Sequence, residues 1–69
     1  MWYNKDMNYY FTTHANSRIE QRGINKSMVY YAIKFGEHQN INDGLVLVSW
    51  QRLRIILKKK NIVTVFYGK

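Results

Sequence analysis

Thr13-His14-Ala15-Asn16-Ser17-Arg18-Ile19-Glu20-Gln21-Arg22-Gly23-Ile24 reads as one short helix followed by its stop. Ala15 and Ile19, four residues apart, give a narrow apolar strip, while Asn16, Ser17 and Glu20 fall on the water side. His14, Arg18 and Arg22 recur at every fourth position and project as one stripe along the border of that strip. Gly23 has the backbone freedom that ends a helix in the left-handed conformation. Upstream, Thr12 or Thr13 can cap the first turn. Tyr9-Tyr10-Phe11, rich in β-formers, reads as a short strand leading into it.

Downstream, Asn25 has the chemistry of a second N-cap. Ile24 before it and Val29 after it have the spacing of a hydrophobic staple. Met28, Val29, Ala32 and Ile33 form the expected buried stripe of this helix, which runs to about Phe35 and closes at Gly36. The remainder has the two-residue period of sheet. Asp43-Gly44 is a hairpin dipeptide between residues 39–42 and 45–50. Leu53, Ile55 and Leu57 alternate with Arg52, Arg54, Ile56 and Lys58. Lys59-Lys60-Asn61 then turns the chain into residues 62–67, where Val63, Val65 and Tyr67 are expected opposite Ile62, Thr64 and Phe66. The predicted fold is α+β: a short N-terminal strand, two helices, then an antiparallel β-meander with both helices on one face.

Sixty-nine residues make one domain, residues 1–69, which buries about 60% of its unfolded surface. With 46% hydrophobic and 16% aromatic residues, it can form a core rather than remain disordered. Cysteine is absent, which excludes disulfides and thiolate metal sites. Two histidines and four scattered acids offer no metal-ligand cluster, and no glycine-rich phosphate loop exists, so neither metal nor cofactor is expected. No stretch has the length of a membrane span or the apolar run of a signal peptide; the expected setting is cytoplasmic, with no membrane partner.

The formal charge is +7, and its placement is one-sided. Asp6, Glu20, Glu37 and Asp43 all precede residue 44. Beyond it stand Arg52, Arg54, Lys58, Lys59, Lys60 and Lys69 without an acid. Such asymmetry points to a polyanionic partner, either nucleic acid or an acidic protein.

Thr13-His14-Ala15, Arg18, Arg22-Gly23-Ile24, Val29, Ala32-Ile33 and Gly36 resemble the opening of the DUF4258 family. Arg52-Leu53-Arg54-Ile55-Ile56-Leu57 and Ile62-Val63-Thr64-Val65-Phe66-Tyr67 resemble its later part, so the likeness spans residues 12–67. The resemblance implies a compact relative of the RelE/barnase-type fold, which hosts metal-independent ribonucleases, among them toxins of toxin–antitoxin pairs, often carried by mobile elements. It thus implies RNA as the favoured partner and an antitoxin as an acidic protein partner.

Cleavage of that type needs a base near the 2′-hydroxyl, an acid near the leaving oxygen, and cations around the developing charge. His14 suits proton exchange, and Arg18 and Arg22 suit bidentate phosphate binding. Equally, His14 could cap the helix, and the two arginines could stitch helix to sheet. Tyr67 and Thr64 stand where the resembled fold can carry catalytic hydroxyls, on opposite faces of the last strand, although the alternation of Tyr67 with Val63 and Val65 also suits a core ring with its hydroxyl at the rim. Arg52, Arg54 and Lys58 form an expected cationic ladder along one strand face, with Trp50 nearby to stack a base. A non-catalytic binding module using the same basic surface is the rival reading. A third has Trp2, Tyr3, Tyr9 and Tyr10 forming a protein interface, such as a homodimer. His38 is expected at the surface.

Overall fold

The structure is a computed structural model, and it describes residues 9–68. Trp2 and Tyr3, two of the four residues of the expected interface, lie outside those residues, as do Lys5, Asp6 and Lys69. The chain runs β1 (Tyr10–Phe11), α1 (Thr13–Arg22), α2 (Lys26–Phe35), β2 (Glu37–Asn42), β3 (Leu45–Trp50), β4 (Leu53–Lys58) and β5 (Asn61–Tyr67). This is the α+β order expected from the sequence. The five strands form one sheet in the order β1-β5-β4-β3-β2. β2 to β5 are an antiparallel meander, and β1 closes the far edge by pairing parallel to β5 through Tyr10–Asn61 and Phe11–Ile62.

Local chemistry explains each boundary. Thr12 is the N-cap of α1, its hydroxyl accepting the Ala15 N–H at 3.2 Å. At the other end Gly23 takes φ 64°, and Ile24 N–H returns to the Ile19 carbonyl at 3.0 Å, a Schellman stop. Asn25 caps α2 by accepting the Ser27 N–H at 2.8 Å, and both staple residues, Ile24 and Val29, are buried. Asp43 and Gly44 both have positive φ, as a two-residue hairpin turn requires.

The core is a single layer between helices and sheet. Ala15 and Ile19 from α1 and Val29, Ala32 and Ile33 from α2 meet Val48, Leu53, Ile55, Leu57, Ile62 and Val65. α1 lies along β5, and α2 lies over β3 and β4. Half-buried Leu45, Leu47, Ile56 and Phe66 occupy the opposite, helix-free face.

Three expectations are corrected. Ile62 shares the core face with Val65, not the opposite one: a bulge at Val63 places Leu57 opposite Ile62 and Ile56 opposite Thr64, so alternation in β5 slips by one residue. Met28 is not in the buried stripe of α2 but 37% exposed. β2 begins at Glu37, two residues earlier than the hairpin pattern suggested. Among the described residues, no helix is long and apolar enough to cross a membrane.

Candidate nucleic-acid interface

α1 carries the stripe that the sequence singled out. His14 and Arg22 are exposed and Arg18 is half-buried, because burial of Ala15 and Ile19 turns this edge of the helix outward. Arg18 donates Nε–H to His14 Nε2 at 3.4 Å and Nη1–H to Gln21 Oε1 at 3.3 Å. In the first contact His14 Nε2 is the acceptor. Among the described residues, no acidic side chain hydrogen-bonds to His14, Arg18 or Arg22. The edge is therefore a line of donors and cations, suited to phosphate oxygens.

The other expected site residues divide between the two faces of the sheet. Arg54 pairs across the sheet with Ser49 and Phe66, and Lys58 with Leu45 and Asn61; both alternate with the buried Leu53, Ile55 and Leu57. They occupy the helix-free face, away from α1. Trp50 opposes Leu53 and packs half-buried against the core, on the helix-bearing face, so it does not flank Arg54. Tyr67 is also on the helix-bearing face, opposite Leu53 at the end of β5, and is exposed.

The expected cationic ladder is shorter than the alternation suggested. Arg52 sits in the two-residue turn between β3 and β4 rather than on the strand. Arg54 folds back to close that turn: its Nη1 donates to the carbonyls of Gln51 at 2.8 Å and Leu53 at 3.0 Å. Its side chain lies across Gly68, where an added Cβ would stand 2.8 Å from Arg54 Nε. Lys58 alone keeps the exposed strand position that the ladder implied.

His38, expected at the surface, is exposed but anchored. Its Nε2 is 2.7 Å from the Ile33 carbonyl, near the C-terminus of α2, where an imidazole N–H satisfies a helix-end acceptor. His14 does not cap α1; that role belongs to Thr12.

Sequence reasoning missed two groupings of aromatic rings with lysines. Lys60 Nζ lies 5.0 Å above the Tyr9 ring and Lys26 Nζ 4.8 Å above the Phe11 ring, while Phe11 meets Tyr30 edge-on at 5.6 Å. On the other flank of α2, Tyr31 stacks on Phe35 and continues to Trp50. Only the helical half of the second carries a local signal: Tyr31 and Phe35 are one helical turn apart and off the Val29–Ala32–Ile33 stripe, whereas Trp50 joins them from another element. Among the described residues, no group of three His, Cys, Asp or Glu side chains could hold a metal ion.

Fold and site together define a small α+β domain whose first helix presents an exposed cationic edge. No family model matches the chain, and neither a curated protein nor a solved structure does.

Proposed function

We propose that this chain is a small, basic, RNA-directed protein that grips the phosphate backbone through α1. The observation that carries the proposal is the His14–Arg18–Arg22 edge, in which the Arg18 guanidinium contacts an imidazole and an amide and, among the described residues, no acidic side chain hydrogen-bonds to it. Fixing Arg18 in this way lowers the side-chain entropy lost when it meets a phosphate. The formal charge of +7 adds a long-range attraction for any polyanion.

The resemblance to the DUF4258 family supports a toxin-type ribonuclease as the enzymatic form of this reading. There the 2′-oxygen would attack phosphorus, the 5′-oxygen would leave, and a cyclic phosphate would remain. His14 would exchange the protons, and Arg18 and Arg22 would hold the charge. The geometry favours binding over cleavage. His14 Nε2 is engaged by Arg18, and Arg54, a further candidate for the phosphate, lies on the opposite face of the sheet.

Purified protein is incubated with single-stranded RNA in the presence of chelator, and both retention and cleavage are measured. Salt-sensitive binding without turnover supports the binding form. Cleavage that His14→Ala abolishes supports the enzymatic one. Absence of binding at low salt defeats the proposal.

A further inference from the structure

Three rings line up where the end of α2 meets β3. The centroids of Tyr31 and Phe35 are 6.0 Å apart with planes inclined at 25°, and Tyr31 continues to Trp50 at 6.3 Å and 30°. Carbon faces in full contact lie about 3.5 to 4 Å apart, so these spacings describe offset rings, each leaving part of a face uncovered. Tyr31 is 48% exposed and Phe35 62% exposed. In a domain this small, leaving two neighbouring rings in water forgoes apolar burial that would stabilise the fold.

The strip depends on close backbone contact. A Cβ at Gly36 would stand 2.6 Å from both the Ala32 and Ser49 carbonyl oxygens and 3.1 Å from Trp50 Cβ. Only glycine lets the last turn of α2 settle on the end of β3 and bring the three rings into one row. Cations border that row. Lys34 Nζ lies over the Phe35 ring, 5.7 Å from its centroid, and Arg52 is exposed in the turn two residues beyond Trp50. The nearest acid in sequence, Glu37, pairs with Ser49 and so belongs to the opposite face of the sheet from Trp50.

We propose that Phe35, Tyr31 and Trp50 form a stacking platform for the bases of single-stranded RNA, with Lys34 over its outer ring and Arg52 in the adjoining turn for the phosphates. The inference rests on the RNA-directed reading and adds where the bases go. A duplex hides its base faces. A single strand offers them, and partly uncovered rings bordered by cations suit such a strand irrespective of its sequence.

The test compares an eight-nucleotide oligouridylate with an abasic ribose-phosphate oligomer of equal length, by anisotropy and by tryptophan emission. The protein carries Trp2→Phe, which leaves Trp50 as its one tryptophan. The oligouridylate is expected to bind at least about tenfold more tightly than the abasic oligomer and to quench Trp50. Tyr31→Ala and Phe35→Ala are each expected to remove most of that preference while leaving abasic binding unchanged. Tyr31→Leu keeps apolar bulk without a π face and should behave like the alanine variant, which separates stacking from any loss of fold. Equal affinity for the two oligomers, or a preference that survives these substitutions, overturns the platform and leaves the phosphate-binding role of α1 standing. Failure to bind either oligomer overturns the RNA-directed reading, and the platform with it.

Discussion

Thr12 and Ile62, fifty residues apart in sequence, are joined twice: the Ile62 carbonyl accepts both the Thr12 N–H at 3.2 Å and the Thr12 hydroxyl at 2.8 Å. The same hydroxyl lies 3.1 Å from the Val63 carbonyl and accepts the Ala15 N–H. Val63 is the extra residue of the β5 bulge, where regular ladder pairing is interrupted. One threonine therefore caps α1, ties it to β5 at that interruption, and fixes the start of the helix that carries His14 two residues later.

Thr12→Val keeps the shape and removes both hydroxyl roles. It is expected to cost about 1 to 2 kcal/mol, read as a lower urea midpoint with an unchanged slope. Thr12→Ser retains the oxygen and should stay within about 0.5 kcal/mol of the parent. Equal midpoints for the valine and serine variants would show that the hydroxyl contributes nothing.

Gly36 and Gly23 are both required, for different reasons, and their alanine variants should separate these. At Gly36 the backbone is ordinary and the space is missing. Alanine there should cost about 1 to 3 kcal/mol and shift Trp50 emission as α2 is pushed off β3. At Gly23 nothing lies within 4 Å, but φ is +64°, so alanine should cost about 1 to 2 kcal/mol and leave Trp50 emission alone. The two emission spectra, measured in the Trp2→Phe background, provide the check.

Gln51 holds φ 55° at the first position of the β3–β4 turn, the conformation that glycine adopts most easily. A left-handed backbone costs an L-residue about 1 to 2 kcal/mol, and glycine adds back about 0.5 to 1 kcal/mol of unfolded-state entropy. Gln51→Gly is thus expected to be neutral or to stabilise by up to about 1 kcal/mol by thermal or urea unfolding. The carbonyl that accepts from Arg54 is retained in that variant, so a clear loss of stability would mean that the Gln51 side chain has a role of its own.

Much of this fold was written locally. Asn25 with Ile24 and Val29 defined the start of α2, Gly23 the end of α1, and Asp43-Gly44 the first hairpin, because each is a short-range device whose partners lie within a few residues. What sequence periodicity missed depends on contacts between distant segments. The alternation assumed through β5 fails at Val63, where Thr12 returns to the strand. Arg54 reads as a surface cation because no local signal says that its guanidinium closes the preceding turn and crosses Gly68. Of the site, the His14–Arg18–Arg22 stripe was legible because one helix builds it. The Tyr31–Phe35–Trp50 row was not, because it needs a helix and a strand brought together at Gly36.

The two faces of the sheet give the arginines different expected effects, and salt dependence separates them. For single-stranded RNA, each phosphate neutralised contributes about 0.7 to the slope of log affinity against log salt. Arg22→Ala removes one exposed cation from the α1 edge; it should lower the slope by roughly that amount and leave the unfolding midpoint within about 0.5 kcal/mol. Arg18→Ala should lower the slope similarly. Arg54→Ala should do the reverse: its Nη1 bonds to two carbonyls at the turn, so its loss is expected to cost about 1 kcal/mol of stability and to leave the slope unchanged. A slope that falls with Arg54→Ala but not with Arg18→Ala or Arg22→Ala would move the phosphate path to the helix-free face and remove the basis for assigning it to α1.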